Sequence, residues 1–268
     1  MLEDNFMYVI RKALRGLELA PAEAAARADL EGEAVLGLLA GRWDEGAARK
    51  LAPVLGLDAD ALAAHPGYEP PRCEHAGIRR LDLPFGSDEQ VNAWLIDSGD
   101  GKLLVDTGCD VASLESTIGG SCDLSEVRFV IITHDHGDHV GGLGLFGDVD
   151  VSVFGPGVGQ DWKEFSPGEV MACGDLRIKA HDLAGHASPA IGLSIAGLGV
   201  PVLAVGDALF AGSMGGCGGR TAYDLAHETL RAALAAHDES TILLPGHGPE
   251  TRIDSERKWN PFVAAMGD

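Results

Sequence analysis

Through the opening part of the chain the apolar positions follow a helical period. Phe6, Val9, Ile10, Ala13, Leu14 and Leu17 fall on one face of a single helix. Pro21 suits the first turn of a second helix over 22–28. Gly32 precedes a third over 34–39, which Gly41 stops. A fourth is predicted over 47–55, and Asp58 is placed to cap a short fifth over 59–64. Beyond Pro70-Pro71 the pattern changes. Short apolar runs bounded by Gly, Pro and Asp predict strands at 78–83, 91–96, 102–105, 129–132, 149–154, 176–180, 191–195, 200–205 and 242–244. Ser98-Gly99-Asp100-Gly101 reads as a hairpin turn. Helices are predicted from 113 to 118 and from 221 to 237, where Leu225, Leu230 and Leu234 share a face. His227 and His237 on the latter read as surface residues. Helix and strand together indicate an α/β class. Pro66-Gly67 and Pro70-Pro71 divide a helical domain, 1–68, from a mixed domain, 74–268.

Composition narrows the function. The 268 residues carry a net charge of −21, which disfavours nonspecific nucleic-acid binding and anionic membrane surfaces. No apolar run reaches the ~20 residues that span a bilayer. The N-terminus lacks the pattern of a secretory leader. Five scattered cysteines without a C-x-x-C pair fit reduced thiols better than a disulfide framework. The expectation is a cytoplasmic enzyme acting on a small-molecule substrate, with no nucleic-acid or membrane partner.

The chemistry is concentrated in Thr133-His134-Asp135-His136-Gly137-Asp138-His139. This H-x-H-x-D-H cluster follows the apolar run 129–132 and is broken by Gly137, Gly141 and Gly142, so it sits on a loop at a strand end. Imidazole and carboxylate are ligands for zinc and similar metals. His186, Asp207 and His247 each follow a strand-like stretch and stand beside glycine. Singly each is an ordinary turn residue; in this order with the cluster they form a set. Asp135 is expected to face away.

These motifs resemble the metallo-β-lactamase superfamily, and within it the glyoxalase II-like group of hydroxyacylglutathione hydrolase-like enzymes. The matching stretches are Leu104-Val105-Asp106-Thr107-Gly108, the histidine cluster, Gly185-His186, Gly206-Asp207 and Pro245-Gly246-His247-Gly248-Pro249. The resemblance implies a four-layer αββα sandwich preceded by a small all-α domain. It implies two divalent metal ions, zinc by default with iron or manganese also accepted by the fold. His134, His136 and His186 would hold one ion, Asp138, His139 and His247 the other, and Asp207 would bridge them. Asp106 would fix a histidine tautomer; its other reading is a turn residue closing a strand. The implied reaction is hydrolysis of a thioester or ester by a metal-bridging hydroxide, with Asp138 and Asp106 as the catalytic carboxylates. Alternatives are a mononuclear iron persulfide dioxygenase of the same fold, a lactonase or phosphoesterase, and a regulatory or binding protein. Residues 248–268 do not form the extended basic domain expected to hold glutathione, and Arg220, Tyr223 and Lys258 are the nearby candidates.

The helical domain resembles the helix-turn-helix units of small bacterial repressors in its Ala24–Ala28, Val35–Leu39 and Leu51–Leu57 tracts. Its chemistry departs from them. Residues 1–70 hold 12 acids and 7 bases, and the segment after the turn offers Glu31 and Glu33 where base or phosphate contacts are needed. A packing or dimerisation role is expected, the latter giving a homo-oligomer, and DNA reading is not.

Overall fold

The computed structural model describes residues 1–87, 89–157 and 162–267. The helical segment contains α1 (Phe6–Gly16), α2 (Pro21–Arg27), α3 (Gly32–Leu39), α4 (Glu45–Leu51) and α5 (Ala59–Ala64). Three of the starts have a local cause. The Asn5 side chain accepts from the backbone N–H groups of Met7 and Tyr8, Asp44 accepts from Ala47, and Asp58 from Ala61. The fourth helix is shorter than its apolar pattern predicts. It passes into a 3-10 turn at Ala52–Leu55, where Pro53 has no N–H to continue the α ladder, and ends at Gly56 with φ of 65°.

Two six-stranded sheets follow. The first has the order β1 (Ile78–Phe85), β2 (Glu89–Asp97), β3 (Lys102–Val105), β4 (Val127–Ile131), β5 (Ser152–Gly155) and β6 (Lys163–Glu164). The second runs β12 (Thr251–Arg252), β11 (Ile242–Pro245), β10 (Val202–Gly206), β9 (Ile191–Ala196), β8 (Leu176–Asp182), β7 (Val170–Cys173). Strand alternation makes the layers. In β2 and β3, Trp94, Ile96, Leu103 and Val105 face the second sheet's Ile178, Leu193, Ala204 and Leu244. Leu95 and Leu104 point the other way, into a core with Leu114 and Ile118 of α6 (Val111–Gly119). On the far side Leu203 and Leu243 pack on Leu230 and Leu234 of α8 (Arg220–Ala235). The result is the αββα sandwich. A four-residue helix, α7 (Gly137–Val140), interrupts the first half, and α9 (Ile253–Trp259) and α10 (Pro261–Ala265) close the chain.

Some details depart from the apolar pattern. The strand predicted at 149–154 begins only at Ser152, and β6, β7, β12, α9 and α10 carried no usable pattern. His227 is not a surface residue: it is half-buried against Tyr223 and Phe262. The five N-terminal helices do not keep a closed core of their own. Val9, Ile10, Leu14, Leu38, Leu51 and Leu62 share one cluster with Met214, Cys217, Tyr223, Ala226 and Phe262. At Gly16 α1 comes so close to α8 that a Cβ there would lie 2.2 Å from the Tyr223 ring. No helix among the described residues is long and apolar enough to cross a membrane.

Candidate metal centre

Both sheets send loops to the same edge. Asp106 follows β3, the 133–139 loop follows β4, and His186, Asp207 and His247 follow β8, β10 and β11. A rigid sandwich therefore carries five irregular segments whose side chains converge. Three overlapping groups of metal-type donors result: His134, His136 and His186; His134, His139 and Asp207; and Asp138, His139 and His247, with the donor atoms of each group within 4.8 Å of one another. All seven positions singled out as ligand types in the sequence are thus brought together. Asp135 is exposed and turned away.

The hydrogen bonds on the outer side of the imidazoles set which nitrogen faces inward. His139 Nδ1 lies 2.8 Å from Asp106 Oδ2, His186 Nδ1 2.8 Å from the Gly216 carbonyl, and His247 Nδ1 2.9 Å from the Gln90 carbonyl. Each of these oxygens only accepts, so each Nδ1 carries the proton and each Nε2 presents a lone pair to the centre. His134 follows by relay. Thr133 Oγ1 donates to Asp106 Oδ2 at 2.8 Å and so accepts from His134 Nδ1 at 3.0 Å. Asp106, 1% exposed, also accepts from the Thr133 N–H at 2.7 Å. It holds this position with φ of 60°, a left-handed conformation that Asp and Asn tolerate better than other side chains. One carboxylate thus orients two inward-facing histidines.

Asp207 occupies the middle. Its Oδ1 is 3.3 Å from His139 Nε2, and its Oδ2 is 3.4 Å from His186 Nε2 and 3.6 Å from His247 Nε2. Asp138 Oδ2 is 3.2 Å from His247 Nε2. His136 turns Nδ1 inward, 3.1 Å from both His134 Nε2 and His186 Nε2. Phe85 and Phe210 flank the His247 ring at 5.3 and 5.7 Å. There is no slack around the carboxylate: a Cβ on Gly246 would stand 2.2 Å from Asp207 Oδ1.

These donors fit a cation. His139 Nε2 and Asp207 Oδ1 are buried, have no hydrogen-bond partner, and confront each other as two acceptors. Buried acceptors at that range need a shared positive charge. The 3.1 Å from His136 Nδ1 to each of the other two imidazole nitrogens is close to the ~3.3 Å edge of a tetrahedron with metal–nitrogen bonds of about 2.0 Å. Burial and the neighbouring charges also set the proton affinities within the cluster. Burial lowers His139's affinity for a proton, yet Asp106 and Asp207 outweigh it and raise its pKa well above the ordinary value. Burial likewise opposes, and Asp138 and Asp207 overcome, in raising His247. Burial would raise Asp207, but His139 and His247 hold it below the usual carboxylate range. His134, where burial dominates and the charge on His139 adds, falls to about 3.

Other candidates fall outside. Arg220 pairs with Asp224, Lys258 lies over the Trp259 ring, and Tyr223 is buried in the helical cluster. His181 contacts Ser194 and His237, with no link to the centre among the described residues. Cys109 is half-buried and its thiol pKa is raised, by burial first and then by Asp138. Thr133, Gln90 and Gly216 were missed. Thr133 was discoverable as a hydroxyl beside His134, whereas the other two act through backbone carbonyls, which leave no mark in a sequence.

Residues 86–150 match the family model described as "Metallo-beta-lactamase superfamily". The match covers about a quarter of the chain and, together with the αββα fold, likens it to metallo-β-lactamase superfamily proteins. The chain is 31% identical over 116 residues to the atrochrysone carboxyl ACP thioesterase of Aspergillus fumigatus, a stretch covering 40% of this chain and 27% of that protein. The fold is similar to the crystal structure of the BLEG-1 B3 metallo-beta-lactamase, with a TM-score of 0.57 and 20% identity over 69% of this chain and 99% of that one. It is also similar to TTHA1623 in a di-iron-bound form, with a TM-score of 0.52 and 24% identity over 67% of this chain and 98% of that one.

Proposed function

We propose that this protein is a metal-dependent hydrolase with two divalent ions, acting on a thioester or ester. His134, His136 and His186 would hold one ion, Asp138, His139 and His247 the other, and Asp207 would serve both. The observation that carries this is Asp207, whose two oxygens meet imidazoles of both sets at 3.3–3.6 Å. The di-iron form of TTHA1623 supports a pair rather than a single ion. When bound, such a pair supplies Lewis acidity and brings water within reach of deprotonation near neutral pH.

The residues divide the remaining work. Asp106 keeps the protons of His139 and His134 on their outer nitrogens, so that the inner ones stay free to ligate. Phe85 and Phe210 shield His247 from water. His136, Asp138 and His186 are the half-buried members and so mark the open side by which substrate arrives. Asp138, on that side, is the carboxylate available to take a proton from the attacking water; the water oxygen adds to the acyl carbon, the C–S or C–O bond breaks, and Asp138 returns the proton to the departing thiol or alcohol. The similarity to a thioesterase supports a thioester. Arg220, Tyr223 and Lys258 make no contact with the centre, so no support comes from them for a glutathione carrier.

The test pairs metal counting with a substrate panel. Two ions per chain and turnover of small acyl thioesters above lactones and phosphodiesters is the expected result. One tightly held iron with oxygen uptake on a persulfide would replace this reading with the oxygenase one.

A further inference from the structure

Lys12 reaches out of α1 to a loop that touches the metal centre. Its Nζ donates to the Met214 carbonyl at 2.9 Å and pairs with Asp4, whose side chain is 7% exposed. Its stem lies 3.9 Å from the place where a Cβ of Gly216 would stand. The Gly216 carbonyl is the acceptor that fixes His186 Nδ1. Next to it Gly215 has no room for a side chain: a Cβ would lie 2.0 Å from the Asp207 carbonyl and 2.9 Å from the His186 ring. The tripeptide 214–216 is therefore held between Lys12 on one side and His186 and Asp207 on the other.

Two adjacent glycines have little conformational preference of their own, so contacts must set where this loop lies. The helical segment supplies them. His65 Nε2 meets the Gly212 carbonyl at 3.0 Å, and the Lys12 ammonium lies 4.7 Å from the centre of the Phe210 ring that packs on His247. At the other end of the cluster the backbone of Glu3 crowds Gly248, the neighbour of His247.

We propose that Lys12 is a positioning residue for the metal centre: through the 214–216 loop it fixes the imidazole of His186 beside Asp207, and the N-terminal helices thereby work as part of the site. This rests on the metal reading above. A carbonyl tethered by a charged donor moves less than one left to solvent, and ligand placement within about 0.5 Å separates tight from loose sites.

The experiment is cobalt(II) titration of the full chain, followed by the d–d absorption bands and by equilibrium dialysis. The variant is Asp4→Asn combined with Lys12→Met, which removes the ammonium without leaving a buried carboxylate unpaired. The control is Leu38→Ala, fully buried in the same helical cluster and chosen to lower Tm at least as much. The double variant should bind cobalt roughly 10–100-fold more weakly, the range for lost outer partners of a ligand, with altered bands. Leu38→Ala, kept below its Tm, should bind as the parent does. Parent-like binding by the double variant, or losses in both variants that follow Tm, overturns the proposal. Should the double variant not fold, Lys12→Arg keeps the charge and moves the donor; an unchanged cobalt spectrum there also overturns it. A parent protein that takes up no cobalt sinks the metal reading and this proposal together, whereas binding by the parent with identical behaviour of the variants sinks this proposal alone.

Discussion

Replacing Asp106 by Asn exchanges one oxygen for an NH2 group and tests the tautomer argument directly. Asn accepts the φ of 60° at this position as readily as Asp, so the backbone is not a confounding factor. With the amide oxygen kept on the Thr133 N–H, the NH2 faces Thr133 Oγ1 and His139 Nδ1, where Asp106 Oδ2 now accepts two bonds of 2.8 Å. The new donors are satisfied only if His139 gives up its Nδ1 proton. It must then carry that proton on Nε2, which faces Asp207. Thr133 accepts from the amide, turns its own hydroxyl to His134 Nδ1, and sends that imidazole's proton inward as well. The metal-free protein therefore keeps a replacement for every bond and loses only the Asp106 charge that raises the proton affinity of His139. Binding a metal ion forces the proton back to His139 Nδ1, against an N–H, and forfeits one charge-assisted hydrogen bond of about 1.5–3 kcal/mol. That corresponds to roughly 10–100-fold weaker metal binding. Competition with a chromogenic chelator, alongside melting curves with and without chelator, measures both quantities. An Asp106→Asn variant that holds its ions as tightly as the parent would refute the reasoning.

Asp207→Asn should lower the count from two ions to one or none, since one carboxylate meets imidazoles of both sets; elemental analysis retaining two ions would refute the shared role. Glu256, fully buried, accepts from Gly212 N, Asn260 Nδ2, Tyr68 Oη and Thr251 Oγ1. Glu256→Ala strands the Gly212 N–H, while Asn260 Nδ2 keeps the Ser213 carbonyl at 2.8 Å, so urea unfolding should show a loss of about 1–3 kcal/mol. Burial raises the Glu256 pKa above 4.5, so the folded state holds that proton more tightly than the unfolded state. Its contribution to stability is full below 4.5 and is lost as pH rises through the raised native value; Glu256→Gln should flatten that slope, and an unchanged slope would point to another group. Gel-shift titration at low salt should show no complex with mixed duplexes, given a net charge of −21 and the acidic Glu31 and Glu33 at the start of α3.

The residues of the centre were legible because they are side chains in short motifs. His134, His136, Asp138 and His139 occupy one turn, and His186, Asp207 and His247 each stand beside a glycine at a strand end. Strands whose two faces are both buried, such as β3 and β10, announce themselves as continuous apolar runs. Edge strands do not: β6 and β12 span two residues each and carry charged side chains. The role of Asp106 stayed open between a tautomer clamp and a turn residue because its partners, Thr133 and His139, lie 27 and 33 residues away.

The N-terminal helices show where such reading stops. Their amphipathic period states that an apolar face exists, and says nothing of what covers it. A separate core, a second copy and the neighbouring sandwich would all produce the same spacing of Val9, Ile10, Ala13 and Leu14. The deciding evidence is distributed over contacts far apart in the chain, such as Lys12 with Met214, separated by 202 positions, and His65 with Gly212, separated by 147. Several of these run through backbone carbonyls, for which any residue would serve, so they leave no motif. What did leave a trace is the glycine content of the loop itself. Met214-Gly215-Gly216 can pass close beside His186 because position 215 carries no side chain, where a Cβ would lie 2.9 Å from that ring, and two adjacent glycines take their place from the contacts around them. A chain that joins its first helices to that loop has tied the placement of a histidine to residues that no motif search around the histidine would reach.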